Sequence, residues 1–298
     1  MKHFVSVIII AFIVSLTGCV DDFDIIIKDR HELIVIDAIV TDLDSVQTVY
    51  IRRECEQLWQ SNVHNNYPPI KDVTVHIEDD EGWNADFEDT SSDRNLTKGR
   101  VFSLSGHQFE PGRTYTITVR VADREFKATE TMVPPPDIDG IKFYSKQSKD
   151  DDTEWRPILY FSDNQPNTDN YYLFSESLSW IRGGSQSRYV ALQRLSDAGF
   201  RENLDGVVLD LGWGAEWYMS SLLSFGDPYN YTLLTISKSN YDYYGVMEDQ
   251  INNDGGIYKP TPTSPPTNFS GKNVQGQFIA ASRVNFIGRV FIDNIIDR

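Results

Sequence analysis

The sequence predicts an all-β fold, two antiparallel β-sandwich domains with one short helix in the C-terminal half, and three observations predict it. Between residues 32 and 132, apolar and polar residues alternate with a period of two in run after run, as half-buried strands do. Turn residues punctuate those runs, DDEG at 79–82 and PG at 111–112 among them, where Gly and Pro suit the backbone angles that turns demand. A helical period stands out in only one place, near residue 244. With 298 residues, 40% hydrophobic and 12% aromatic, the chain has apolar surface enough for one large domain or two ordinary ones.

The first segment reads as a leader. Lys2 makes a short positive start and residues 4–16 are almost wholly apolar, which matches a secretory signal. As a helix the run reaches roughly 20 Å against a hydrocarbon core of roughly 30 Å, too short to span. Thr17 and Gly18 are small, and Cys19 is followed by Asp21, Asp22 and Asp24. Leu16, Thr17, Gly18 and Cys19 together resemble the lipobox of bacterial lipoproteins. The resemblance implies a signal peptide over 1–18, lipid attachment at Cys19 and an acidic tether over 19–31. Two or more acyl chains hold a protein on a bilayer without any transmembrane helix. The acids after Cys19 resemble the export signal of surface-exposed lipoproteins, or serve only to keep a tether soluble. An outer-membrane location is expected on either reading.

The mature chain then divides, on its pattern, at the prolines. Residues 32–40 (ELIVIDAIV) place Ile34, Ile36, Ala38 and Val40 on one side of a strand, and QTVYIRR adds Val49 and Ile51. DVTVHIED and WNADF read as a hairpin around the turn at 79–82; VFSL, TYTITVRV and EFKATETM complete seven strands. That series predicts a sandwich of the immunoglobulin or transthyretin kind over 32–133. VPPPD interrupts it, since consecutive prolines cannot donate ladder hydrogen bonds, so 134–137 reads as a linker. In 138–298 the strands are IDGIKFY, ILYFSD, NYYLFSESLSWI, VVLDL, NYTLLTIS, FIAASRVNF and RVFID, while RGGSQSR reads as a loop. Between them a helix is capped by Ser239 with Asp242, carries Tyr244, Met247 and Ile251 on one face, and ends at Gly255 and Gly256. A proline-rich strap, PTPTSPPTNFSG, is expected to be an ordered crossing loop.

YPPIKDVTVHIEDDEG, FEPGRTYTITV, ATETMVPPPDIDGIKF, YTLLTISKSNYDYYGVMEDQ and PTSPPTNFSGKNVQGQFIAAS follow one another in this order. Together they resemble the Bacteroidota lipoprotein family catalogued as domain of unknown function 4249. The resemblance implies an outer-membrane lipoprotein whose genes often lie beside TonB-dependent receptors, with no established catalytic residues. Ile279 departs from the smaller residue that the resemblance leads one to expect after Gly276 and Phe278.

The remaining motifs are sparse. A formal charge of −17 repels polyphosphate backbones, so nucleic acid is not an expected partner. There are two cysteines; with Cys19 lipidated, Cys55 has no intramolecular partner for a disulfide. His31, His64, His76 and His107 lack the spacing of zinc hydrolases, and no nucleophile elbow, phosphate-cradling loop or dinucleotide fingerprint occurs, so neither cofactor nor metal is expected. Paired carboxylates across a cleft, as a glycosidase needs, cannot be read from distant positions. Asp163, Asn164, Asn167 and Asp169 supply oxygen ligands for a calcium ion or form a hydrated turn. Trp213 and Trp217, in GWGAEWYMS, are candidate contacts for a ligand or partner. The expected function is therefore a lipid-anchored, non-enzymatic interaction protein accessory to a TonB-dependent receptor; the alternative is a surface module that binds glycan or peptide through exposed aromatics.

Overall fold

The computed structural model describes residues 33–53, 70–92, 99–135, 137–147, 153–162, 169–182, 185–196, 207–210, 225–251, 264–291, 293 and 295–296. The class is the expected one. Strands β1 (Ile34–Thr41), β2 (Val46–Arg53), β3 (Val73–Asp79), β4 (Asn84–Asp86), β5 (Glu88–Asp89), β6 (Arg100–Ser105), β7 (Thr114–Val121) and β8 (Arg124–Thr131) come first. β9 (Asp137–Gln147), β10 (Thr153–Ser162), β11 (Tyr171–Arg182), β12 (Ser185–Ser196), β13 (Val207–Asp210) and β14 (Pro228–Ile236) follow, then helix α1 (Lys238–Ile251), β15 (Val274–Arg289) and β16 (Ile295–Ile296).

Among the described residues these strands form three sheets. The largest has the order β12-β11-β14-β15-β1-β2-β6-β5, and two four-stranded sheets have the orders β4-β3-β7-β8 and β13-β10-β9-β16. The alternation read from the sequence decides what the first two bury. Ile34, Ile36, Ala38, Val49 and Ile51 leave the large sheet on one face and meet Val75, Ile77, Ile117, Val119 and Phe126 of the smaller one. Each buried Val, Ile or Phe among them stabilises the fold by roughly 1.5–3 kcal/mol before entropy is counted.

β15 is the strand on which the large sheet turns. Its first half, from Val274 to Ala281, pairs in parallel with β1, and its second half pairs antiparallel with β14 from Ser282 to Arg289. Val274, Phe278 and Ala280 enter the sandwich core; Ile279 and Ala281 point the other way and pack with Leu173 and Ile236 beneath Tyr241 and Tyr244. The strap closes the other edge of the first half. Asn268 copies a strand peptide there: its Oδ1 accepts the Phe278 N–H at 2.9 Å and its Nδ2 donates to the Phe278 carbonyl at 2.8 Å. Thr267 donates to the Gly276 carbonyl at 2.7 Å. The ordered crossing expected of the strap is present over 264–270.

Several expectations are corrected. Among the described residues the sheets cross the proline run, because β15 pairs with β1 and carries Val274, Phe278 and Ala280 into the core of the first half. Val133 itself bridges Ala281, and Ser282 donates to its carbonyl at 2.5 Å. Nor are the sheets wholly antiparallel: β1 with β15 and β16 with β9 run parallel. Of RGGSQSR, read as a loop, Arg182 ends β11 and Ser185 to Arg188 open β12. FIAASRVNF and the start of RVFID lie within the single strand β15, which ends at Arg289. The helix is capped by Ser237, whose Oγ accepts the Asn240 N–H at 3.3 Å; Asp242 pairs with Lys238 instead. The predicted stop at Gly255 and Gly256 lies outside the described residues.

Candidate functional site

Of the residues singled out in the sequence, Cys19, Cys55, Trp213, Trp217, His31 and His64 lie outside the described residues. So does most of the Asp163–Asp169 stretch, of which only Asp169 is described. No group of three His, Cys, Asp or Glu that could hold a metal gathers among the described residues, and no helix there is long and apolar enough to cross a membrane.

Two concavities remain. The first is an open groove of about 370 Å³ on the outer face of the large sheet, floored by Ile39 and Leu234 and walled by Tyr50, Asp37, Asp44 and Arg283. Strand pleating sets its make-up: with Ile36 and Ala38 in the core, Asp37 and Ile39 must face outward. Register places Tyr50 directly opposite Asp37. Tyr50 is 53% exposed, so its ring is available on the surface.

The charges of the groove are matched. Arg52 donates to Asp37 Oδ2 at 3.0 Å, and Arg283 pairs with Asp44 while its N–H donates to Asp42 at 2.8 Å. Burial pushes the Asp37 carboxyl above the usual range, with Arg52 opposing. Asp42 is raised as well, first by burial, against the Arg283 N–H. Gln47 locks the β1–β2 hairpin that carries these groups. It accepts the Thr41 N–H at 2.9 Å and donates to the carbonyls of Thr41 and Asp44 at 2.9 and 2.8 Å.

The second concavity, about 560 Å³, lies at the edge of the sandwich and is lined by Val75, His76, Asp86, Phe87, Phe102 and Arg120. His76 Nδ1 donates to Asp86 at 2.7 Å. Because the Asp86 side chain is 84% exposed, water screens the pair and it adds little stability. His107 has a different place: it stacks on Trp83 with ring centroids 3.4 Å apart, and burial holds its imidazole below the usual value. Its neighbour, the turn at 79–82, is drawn together by Arg113, which pairs with Asp79 at 2.6 Å, Asp80 at 2.8 Å and Glu81.

Sequence reasoning missed the groove. The outward position of Asp37 was implicit in the alternation, but Arg283 lies 239 residues from Asp44, and no local pattern brings them together. What fold and groove define is an all-β protein whose largest sheet packs one face against a smaller sheet, and on the other carries both helix α1 and an open, charge-balanced recess. The chain belongs to the family described as Domain of unknown function (DUF4249), whose profile matches residues 20–286. A search of curated proteins finds no match.

Proposed function

We propose that the chain is a lipid-anchored, non-enzymatic interaction protein of the outer membrane that docks on, or delivers a ligand to, a TonB-dependent receptor. The observation that carries this reading is the run Leu16, Thr17, Gly18, Cys19 behind an apolar segment too short to span. The acidic residues that follow and the family membership support it. A sheet scaffold suits such a role, because it holds exposed side chains such as Tyr50 in fixed positions at low entropic cost.

Two measurements test it. Cells fed a labelled fatty acid are expected to label the wild-type chain, and Cys19→Ala is expected to abolish the label and release the chain from membranes. Purification in mild detergent is expected to recover a TonB-dependent receptor with it. A Cys19→Ala chain that stays embedded overturns the anchor, and the absence of any co-eluting receptor under conditions where both are made overturns the partner.

A further inference from the structure

The outer-face groove has a composition that selects a ligand class. Its acids are already paired with arginines, Asp37 with Arg52 and Asp44 with Arg283, so the recess carries no excess charge to attract an ion. Its volume of about 370 Å³ falls within the roughly 300–1,000 Å³ of small-ligand sites. The exposed Tyr50 lines it, offering a flat apolar face with a hydroxyl at its tip. Ile39 and Leu234 make an apolar floor, and Thr48 and Ser175 add hydroxyls around it.

An extended peptide is poorly served here. β1 is bonded to β2 on one side and β15 on the other, and β2 to β1 and β6. The main-chain groups under the groove are therefore committed to the sheet, and none is left to add a strand. Recognition must come from side chains alone. An aromatic face flanked by carboxylate, guanidinium and hydroxyl groups matches a molecule with an apolar C–H face edged by many hydroxyls. The carboxylates accept from those hydroxyls, and Arg283 donates to them.

We propose that this groove binds a neutral saccharide, with a sugar ring stacked on Tyr50 and its hydroxyls bonded by Asp37, Asp44 and Arg283. This binding does not depend on the lipid at Cys19 or on a receptor.

The test is calorimetric titration of the full-length protein, in a detergent without a sugar headgroup, with maltohexaose, cellohexaose, mannohexaose and xylohexaose as probes. At least one is expected to bind, Tyr50→Ala to weaken it at least tenfold, and Asp37→Asn at least fivefold, with unchanged thermal unfolding midpoints. Should Tyr50→Ala not fold, Tyr50→Leu keeps apolar area without the ring and is expected to show the same loss. The proposal is overturned if no probe binds at millimolar concentration, or if binding survives both groove substitutions. Saturation by extended decapeptides, abolished in Tyr50→Ala, with no saccharide bound, overturns it too.

Discussion

At the residue scale, Gly276 shows how one backbone position supports a whole strand. It has φ near +100°, and a Cβ placed there would lie 2.0 Å from the Ile36 carbonyl oxygen. Gly276→Ala must therefore strain the backbone and push β1 from β15, and a loss of roughly 3 kcal/mol or more is expected in urea unfolding. Ile279, large where a smaller residue was expected, is accommodated because it faces the helix side, away from that contact. Glu130 offers a second test. Burial raises its carboxyl above the ordinary value, against hydrogen bonds from Asn268 and Ser237. The folded chain thus holds that proton more tightly than the unfolded one, and the group's contribution to stability declines as pH rises through the raised value. Glu130→Gln is expected to unfold at higher urea than wild type at pH 7, with the gap closing toward pH 4. Alternation already sets Glu130 on the inward face with Phe126 and Ala128, but nothing in it shows that Asn268 arrives from 138 positions away to bond it.

At the element scale, local pattern located the strands well and their ends poorly. DVTVHIED and TYTITVRV appear as β3 and β7 because alternation alone decides which side chains a half-buried strand can hide. β12 escaped detection because SQSRYVALQRLS opens with polar residues after a pair of glycines, and its pairing with β11 is a matter of register rather than of its own periodicity. Cap assignment failed by two residues for a similar reason. Ser237 and Ser239 have the same chemistry, and only the helix start distinguishes them. Ser237→Ala is expected to cost about 1 kcal/mol or somewhat more, since it removes the cap and a bond to Glu130. Ser239→Ala loses only a long contact of 3.4 Å from Gln277, and a change under about 0.5 kcal/mol is expected. Parallel thermal melts of the two variants check the assignment.

At the scale of the whole molecule, the proline run invites a cut that the sheets do not respect. A fragment of residues 32–133 would lack Val274, Phe278 and Ala280, and β1 would lose its partner on one edge. Such a fragment is expected to show no cooperative unfolding transition and to bind a dye for exposed apolar surface. Joining residues 264–289 to it through a flexible linker is expected to restore the transition. Independent folding of 32–133 alone would show that β15 is dispensable to the sandwich. The groove is likewise a property of the whole, since its walls come from β1 and β2 at one end of the chain and from β14 and β15 at the other.

By itself the sequence determined the all-β class, the inward faces of the strands in the first half, helix α1 and the family. These follow from periodicities of two and 3.6 residues, which act between near neighbours. Only the tertiary structure decided that β15 joins the two halves, that Gly276 sits against Ile36, and that Arg283 meets Asp44 beside Tyr50. Pairing between distant strands is set by complementary packing and hydrogen bonding across the sheet, interactions that leave no trace in the spacing of residues along the chain.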